Sequence, residues 1–164
     1  LSQWNLSFVE EPIMADSCPS EWVKLAKASK SPLAAGENIA SQSKFEEHVN
    51  NGSLHVIQPD IAKWGGISGC FAAGQHALKN DVSVSMHYMG TAVGLAASFH
   101  TLAALGGNGR VELDANPNPL RTELGHIDLS LDSGFVNLPK GLGIGFEPDL
   151  DALRRFGVVY YDIN

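Results

Sequence analysis

Apolar residues fall along this chain in five short runs separated by longer stretches. The runs are Leu6-Ser7-Phe8-Val9, Pro32-Leu33-Ala34-Ala35, Leu54-His55-Val56-Ile57-Gln58-Pro59, Val82-Ser83-Val84-Ser85-Met86 and Arg110-Val111. Runs this short, bounded by Gly, Pro and Asn, predict buried strands rather than helices. The stretches between them predict helices. Ser20 is placed to cap one over 21–29, Ser41 one through Val49 that Asn50-Asn51-Gly52 closes, and further helices are expected over 66–79, 91–105 and 149–156. Arg154 and Arg155 stand in the final turn of the last helix, where the helix dipole favours positive charge. Alternation between Ile127 and Leu138 around Asp132-Ser133-Gly134 predicts a hairpin. Strand alternating with helix is the pattern of a parallel sheet with helical crossovers, the α/β class.

Composition narrows the function. A length of 164 residues predicts about one domain. With 44% hydrophobic and 18% charged residues, a sizeable core is expected and wholesale disorder is not. The net charge of -7 argues against a nucleic-acid partner, because phosphate binding needs clustered Lys and Arg. No apolar run approaches the ~20 residues of a membrane helix, so no membrane partner is expected. Cys18 and Cys70 make no disulfide framework and fit a reducing compartment, here the cytoplasm. The chain opens on Leu1-Ser2-Gln3-Trp4 without Met or a signal-peptide pattern, and is expected to be a piece of a longer protein.

The ends of the five runs carry the chemistry. Glu10, Glu37, Asp60, His87 and Glu112 each stand at or just past one of them, separated by 27, 23, 27 and 25 residues. In a (β/α)₈ barrel the C-terminal strand ends converge on one mouth, where catalytic groups lie. Carboxylates gathered there repel one another unless a cation intervenes, and all-oxygen ligands suit a hard divalent ion, Mg²⁺ first. No second His or Cys stands at zinc-ligand spacing from His87. Paired with Asp60, His87 reads better as a general base oriented by the carboxylate.

The segments Val9-Glu10-Glu11-Pro12, Gly36-Glu37-Asn38, Gln58-Pro59-Asp60-Ile61-Ala62-Lys63-Trp64-Gly65-Gly66-Ile67, Ser85-Met86-His87 and Val111-Glu112-Leu113-Asp114 resemble the mandelate racemase subgroup of the enolase superfamily, in order and in spacing. The likeness covers essentially the whole chain. Its most specific element is Pro-Asp-x-x-Lys-x-Gly-Gly with a His 27 residues after the Asp. The resemblance implies an incomplete, TIM-like (β/α) barrel of the enolase C-terminal domain kind, its fourth to eighth strands plus a C-terminal segment. Residues 1–126 would form the partial barrel, and 127–164 a hairpin and last helix of the same domain.

By the same resemblance, Glu10 and Glu37 are expected as Mg²⁺ ligands and Asp60 and His87 as the catalytic dyad. Glu112 takes the place of the acid that hydrogen-bonds the substrate carboxylate. Glu11 is expected to face away from Glu10, as strand neighbours do. Lys63 is expected as a charge behind the site, and Asn38 to orient Glu37. The family's third metal ligand, its second base and its capping domain belong to earlier segments that this sequence does not contain. The implied reaction removes the proton α to a carboxylate through an enediolate, with dehydration of an acid sugar ranked first. A racemase or epimerase of an α-hydroxy or amino acid derivative is the alternative, and a non-catalytic fragment needing a partner is another. The expected partners are a small-molecule carboxylate substrate and, for the full-length form, further copies of itself.

Other features are weighed more lightly. Arg121 in Asn116-Pro117-Asn118-Pro119-Leu120-Arg121 reads as an ordinary surface residue on a rigid loop, with a substrate carboxylate as its alternative partner. Gly141-Leu142-Gly143-Ile144-Gly145 reads as a turn. His48, His55, His76, His100 and His126 read as structural, and Trp64 packs against the barrel or floors the site.

Overall fold

Five parallel strands lie side by side in chain order: β1 (Val9–Glu10), β2 (Leu33–Ala35), β3 (Val56–Ile57), β4 (Ser83–Met86) and β5 (Arg110–Val111). A helix separates each strand from the next over the first four connections: α1 (Pro19–Ala28), α2 (Gln42–Asn50), α3 (Gly66–Lys79) and α4 (Ala92–Leu105). The chain continues through α5 (Pro119–Thr122), an antiparallel pair β6 (Leu131–Asp132) and β7 (Phe135–Val136), and α6 (Leu150–Arg155). This computed structural model describes residues 3–157; residues 1–2 and 158–164, the latter ending the expected C-terminal segment, lie outside the described residues. The architecture is a half-barrel, a curled parallel sheet with helices on its outer side.

The core lies between sheet and helices. Leu33, Ala35, Ile57, Val84 and Met86 of the strands pack with Trp22, Phe45, Cys70 and Leu95 of the helices. The inner strands β2 and β3 are buried throughout and correspondingly apolar, whereas the edge strands β1 and β5 are partly exposed. Ile127, Val136 and Ile144 of the C-terminal segment pack against the same core.

Local sequence explains most boundaries. Ser41 Oγ accepts the Lys44 N–H and starts α2 as expected. The first helix begins earlier than expected: Cys18, not Ser20, is the N-cap. Pro19 occupies the first helical position, where its missing N–H costs nothing, and the Glu21 carboxylate reaches back to the Cys18 N–H at 3.1 Å. The last helix starts at Leu150, one residue later than expected, because Asp149 serves as its cap, its side chain accepting from the Asp151 and Ala152 N–H groups.

Gly36 matters most for the site. Its φ is +155°, and a Cβ there would fall 2.5 Å from the backbone nitrogen of Gln58. Only glycine lets the end of β2 come this close to the Gln58-Pro59-Asp60 segment, and the next residue is Glu37.

Candidate active site

Strand register brings the site together. β3 pairs with β4 as Val56 with Ser83 and Ile57 with Val84, an offset of 27. Asp60 and His87 are 27 apart and form a further parallel bridge beyond the strand ends. β4 pairs with β5 as Ser85 with Arg110 and Met86 with Val111, an offset of 25, so His87 and Glu112 also stand level. The separations noted in the sequence are thus the register itself for these three residues. Glu10 pairs with Ala34, so Glu37 stands three residues further up than Glu10.

His87 is buried at 3% exposure, as is Asp60. His87 Nδ1 lies 2.7 Å from Asp60 Oδ2. The other carboxylate oxygen, Oδ1, accepts the N–H of Ala62 at 2.7 Å and of Lys63 at 3.1 Å. Asp60 is therefore fixed by its own turn and in turn fixes the ring. His87 Nε2 faces Glu37 Oε2 in direct contact and lies 3.7 Å from Glu112 Oε2. An imidazole held this way accommodates a proton on either nitrogen.

Glu37 is itself held. Its Oε1 accepts from Lys63 Nζ at 3.1 Å and from Asn38 Nδ2 at 3.2 Å. The same Asn38 amide donates to Glu11 Oε1 at 3.1 Å. Glu11 lies past the end of β1 with φ +38°, where strand alternation no longer applies. Its carboxylate joins the rim of the site through Asn38 rather than turning away.

Glu112 has one oxygen, Oε2, buried without a hydrogen-bond partner. Burial is the largest cause that raises its pKa above the usual carboxylate range; the His87 charge opposes this, and Glu10, Glu37 and Asp114 add to it. Glu10, exposed at the end of β1, is thus electrostatically coupled to the site. An acid that tends to keep its proton beside an imidazole can donate a hydrogen bond to an oxyanion.

The donors bear on a metal. Glu10 and Glu37 come from adjacent strand ends and are hard oxygen donors, among carboxylates that Lys63 and His87 oppose. This chemistry fits a hard divalent cation. Among the described residues no group of three His, Cys, Asp or Glu is placed to hold one. The two glutamates fit as part of a ligand set that other segments would complete.

The remaining candidates have other positions. Arg121 is neither a free surface residue nor turned to the site: it pairs with Asp114 at 2.7 Å, both largely buried. Asn116 also holds Asp114, and Asn118 caps α5 while donating to the Gly90 carbonyl at 3.0 Å. This ties the loop after Glu112 to the loop after His87, a link the sequence hints at only through its Asn-Pro repeats. His48 bonds Ser53, His55 accepts the Leu33 N–H, and His76 meets Asn50. Trp64 packs on Phe45, with ring centroids 5.4 Å apart. A cavity of about 840 Å³ lies beside the site rather than at it, between the loop after β1 and α2, bordered by Glu11, Asn38, Lys44 and His48.

Residues 1–152 match the family described as enolase C-terminal domain-like. The chain belongs to the enolase superfamily. A mandelate racemase/muconate lactonizing enzyme from Bordetella bronchiseptica RB50 has a solved structure that superposes with a TM-score of 0.85 at 44% identity, over 92% of this chain and 42% of that one. A D-galactonate dehydratase of Variovorax paradoxus is 31% identical over 153 residues, 89% of this chain and 40% of its own length. A D-galactarolactone cycloisomerase of Agrobacterium fabrum is 27% identical over 161 residues, 93% of this chain and 42% of its own length. Enolase-superfamily enzymes therefore surround this chain in sequence and in fold, and the chain spans about 40% of the length of these relatives. Among the described residues no helix is long and apolar enough to cross a membrane.

Proposed function

We propose that the protein carrying this chain removes the proton α to a carboxylate, and that the reaction is the dehydration of an acid sugar. The observation that carries the reading is the His87 ring, fixed by Asp60 at Nδ1 with Nε2 turned towards Glu37 and Glu112. Relatives named for an acid-sugar dehydratase and a lactone cycloisomerase support the substrate class.

Each residue then has a task. His87 takes the α-proton at Nε2 and the substrate becomes an enediolate. The β-hydroxyl leaves with a proton delivered from His87, so that water is lost and the ring returns to its starting state. Asp60 holds the ring orientation throughout. Glu112, whose pKa burial raises, donates in its protonated form to a carboxylate oxygen as negative charge grows there. Glu10 and Glu37 are the residues that would hold Mg²⁺. A bound Mg²⁺ supplies positive charge beside the carboxylate and so stabilises the enediolate. The substrate is a small-molecule carboxylate, and the whole protein acts as a homo-oligomer.

The named cycloisomerase relative favours one second reading, in which the proton returns to carbon and no water is lost. Incubating the whole protein with Mg²⁺ and D-galactonate, then assaying for a 2-keto-3-deoxy acid, distinguishes the two. Keto-acid formation that a chelator stops is expected. Exchange of the α-proton without keto acid would favour the isomerase, and neither event with any acid sugar would contradict both.

A further inference from the structure

The two oxygens of Glu37 have different surroundings. Oε2 faces the site and His87. Oε1 is occupied by Lys63 Nζ at 3.1 Å and Asn38 Nδ2 at 3.2 Å. The backbone from which the Lys63 side chain extends is fixed in the Asp60 turn, and the Asn38 amide is shared with Glu11, whose backbone has φ +38°. Adjacent segments thus converge on one carboxylate oxygen.

We infer that Lys63 and Asn38 are positioning residues that leave only Oε2 of Glu37, the oxygen that contacts His87, for a cation, and thereby set which divalent cation the site accepts. This rests on the reading of Glu37 as a cation ligand. Ca²⁺ takes six to eight oxygens and readily uses both of a carboxylate, whereas Mg²⁺ needs six at octahedral positions and gains nothing from a second oxygen of the same group. Saturating Oε1 with two donors excludes the bidentate mode and so weighs against Ca²⁺. A nearby ammonium also lowers affinity for every cation, which makes the ratio of the two affinities the informative quantity and not either alone.

The test is titration calorimetry of the whole protein with Mg²⁺ alone and with Ca²⁺ alone, for the native sequence, Lys63→Met, Asn38→Ala and Lys63→Arg. Lys63 is 45% exposed in its side chain, so its replacement is compatible with folding, and circular dichroism checks this. The expected result is a Mg²⁺ preference that falls roughly tenfold in Lys63→Met and in Asn38→Ala, as bidentate ligation opens to Ca²⁺. Lys63→Arg keeps the donor and the preference. Equal shifts for both cations, leaving the ratio unchanged in all variants, would overturn the inference while leaving Glu37 a ligand. A native protein that binds neither cation would overturn the ligand reading itself.

Discussion

Asp60 and His87 are joined twice, once by a backbone bridge beyond the ends of β3 and β4 and once through their side chains at 2.7 Å. Their pairing is therefore a property of the sheet and does not depend on loop conformation. Changing Asp60 to Asn isolates the chemistry. The Asn oxygen can still accept from Ala62 and Lys63, but its amide would present N–H to Nδ1 and drive the ring proton to Nε2. We expect turnover to fall by about 10²-fold or more with little change in melting temperature. Full turnover in the variant would remove Asp60 from the mechanism.

Gly36 sets how closely Glu37 approaches this pair. In Gly36→Ala the new Cβ would lie 2.5 Å from the Gln58 nitrogen at a φ that side chains avoid. Denaturant unfolding should show a loss of about 1–3 kcal/mol, the usual range for overpacking. A neutral result would mean that the β2 end and Gln58 are free to separate.

Glu112 makes stability depend on pH. Burial raises its folded pKa above the unfolded value, so the folded state binds the extra proton and its stabilisation is present below the unfolded pKa. That stabilisation is lost as pH rises through the raised value. Melting temperatures of the native protein and Glu112→Gln across pH 4 to 8 should therefore diverge in favour of the variant as pH rises above the ordinary carboxylate range. Parallel curves would show that the buried oxygen is solvated.

His48 works with the opposite sign. Burial is the main cause of its lowered pKa, Lys44 adding to it and Glu47 opposing it, and the ring bonds Ser53 at 2.7 Å. The unfolded state takes up a proton first, so stability falls as the pH drops below the ordinary value of 6.5. His48→Gln, which keeps a polar partner for Ser53, should flatten that acid limb. An unchanged limb would assign it to other groups.

Much of this was legible in the sequence because strand register is written as residue spacing. The separations of 27 and 25 among Asp60, His87 and Glu112 are the offsets by which β3, β4 and β5 pair. The five strands and the helix over Gly66–Lys79 follow from the same alternation. Side-chain partnerships were less legible. Nothing local to Arg121 indicates that it turns inward to Asp114, and the Cys18 cap is masked by a more familiar capping residue two positions on. The sharing of Asn38 between Glu11 and Glu37 depends on a backbone reversal at Glu11 that a strand pattern does not encode.

The central claim is that His87 carries the substrate proton. It is tested most directly by following α-proton exchange of an acid sugar in deuterated water by NMR, with the whole protein and its His87→Asn variant in the presence of Mg²⁺. Asn is smaller than His but its amide can still bond Asp60, and circular dichroism checks that the fold persists. The expected result is exchange in the native protein and its loss by about 10²–10⁴-fold in the variant. Exchange at the native rate in a folded His87→Asn protein would contradict the account.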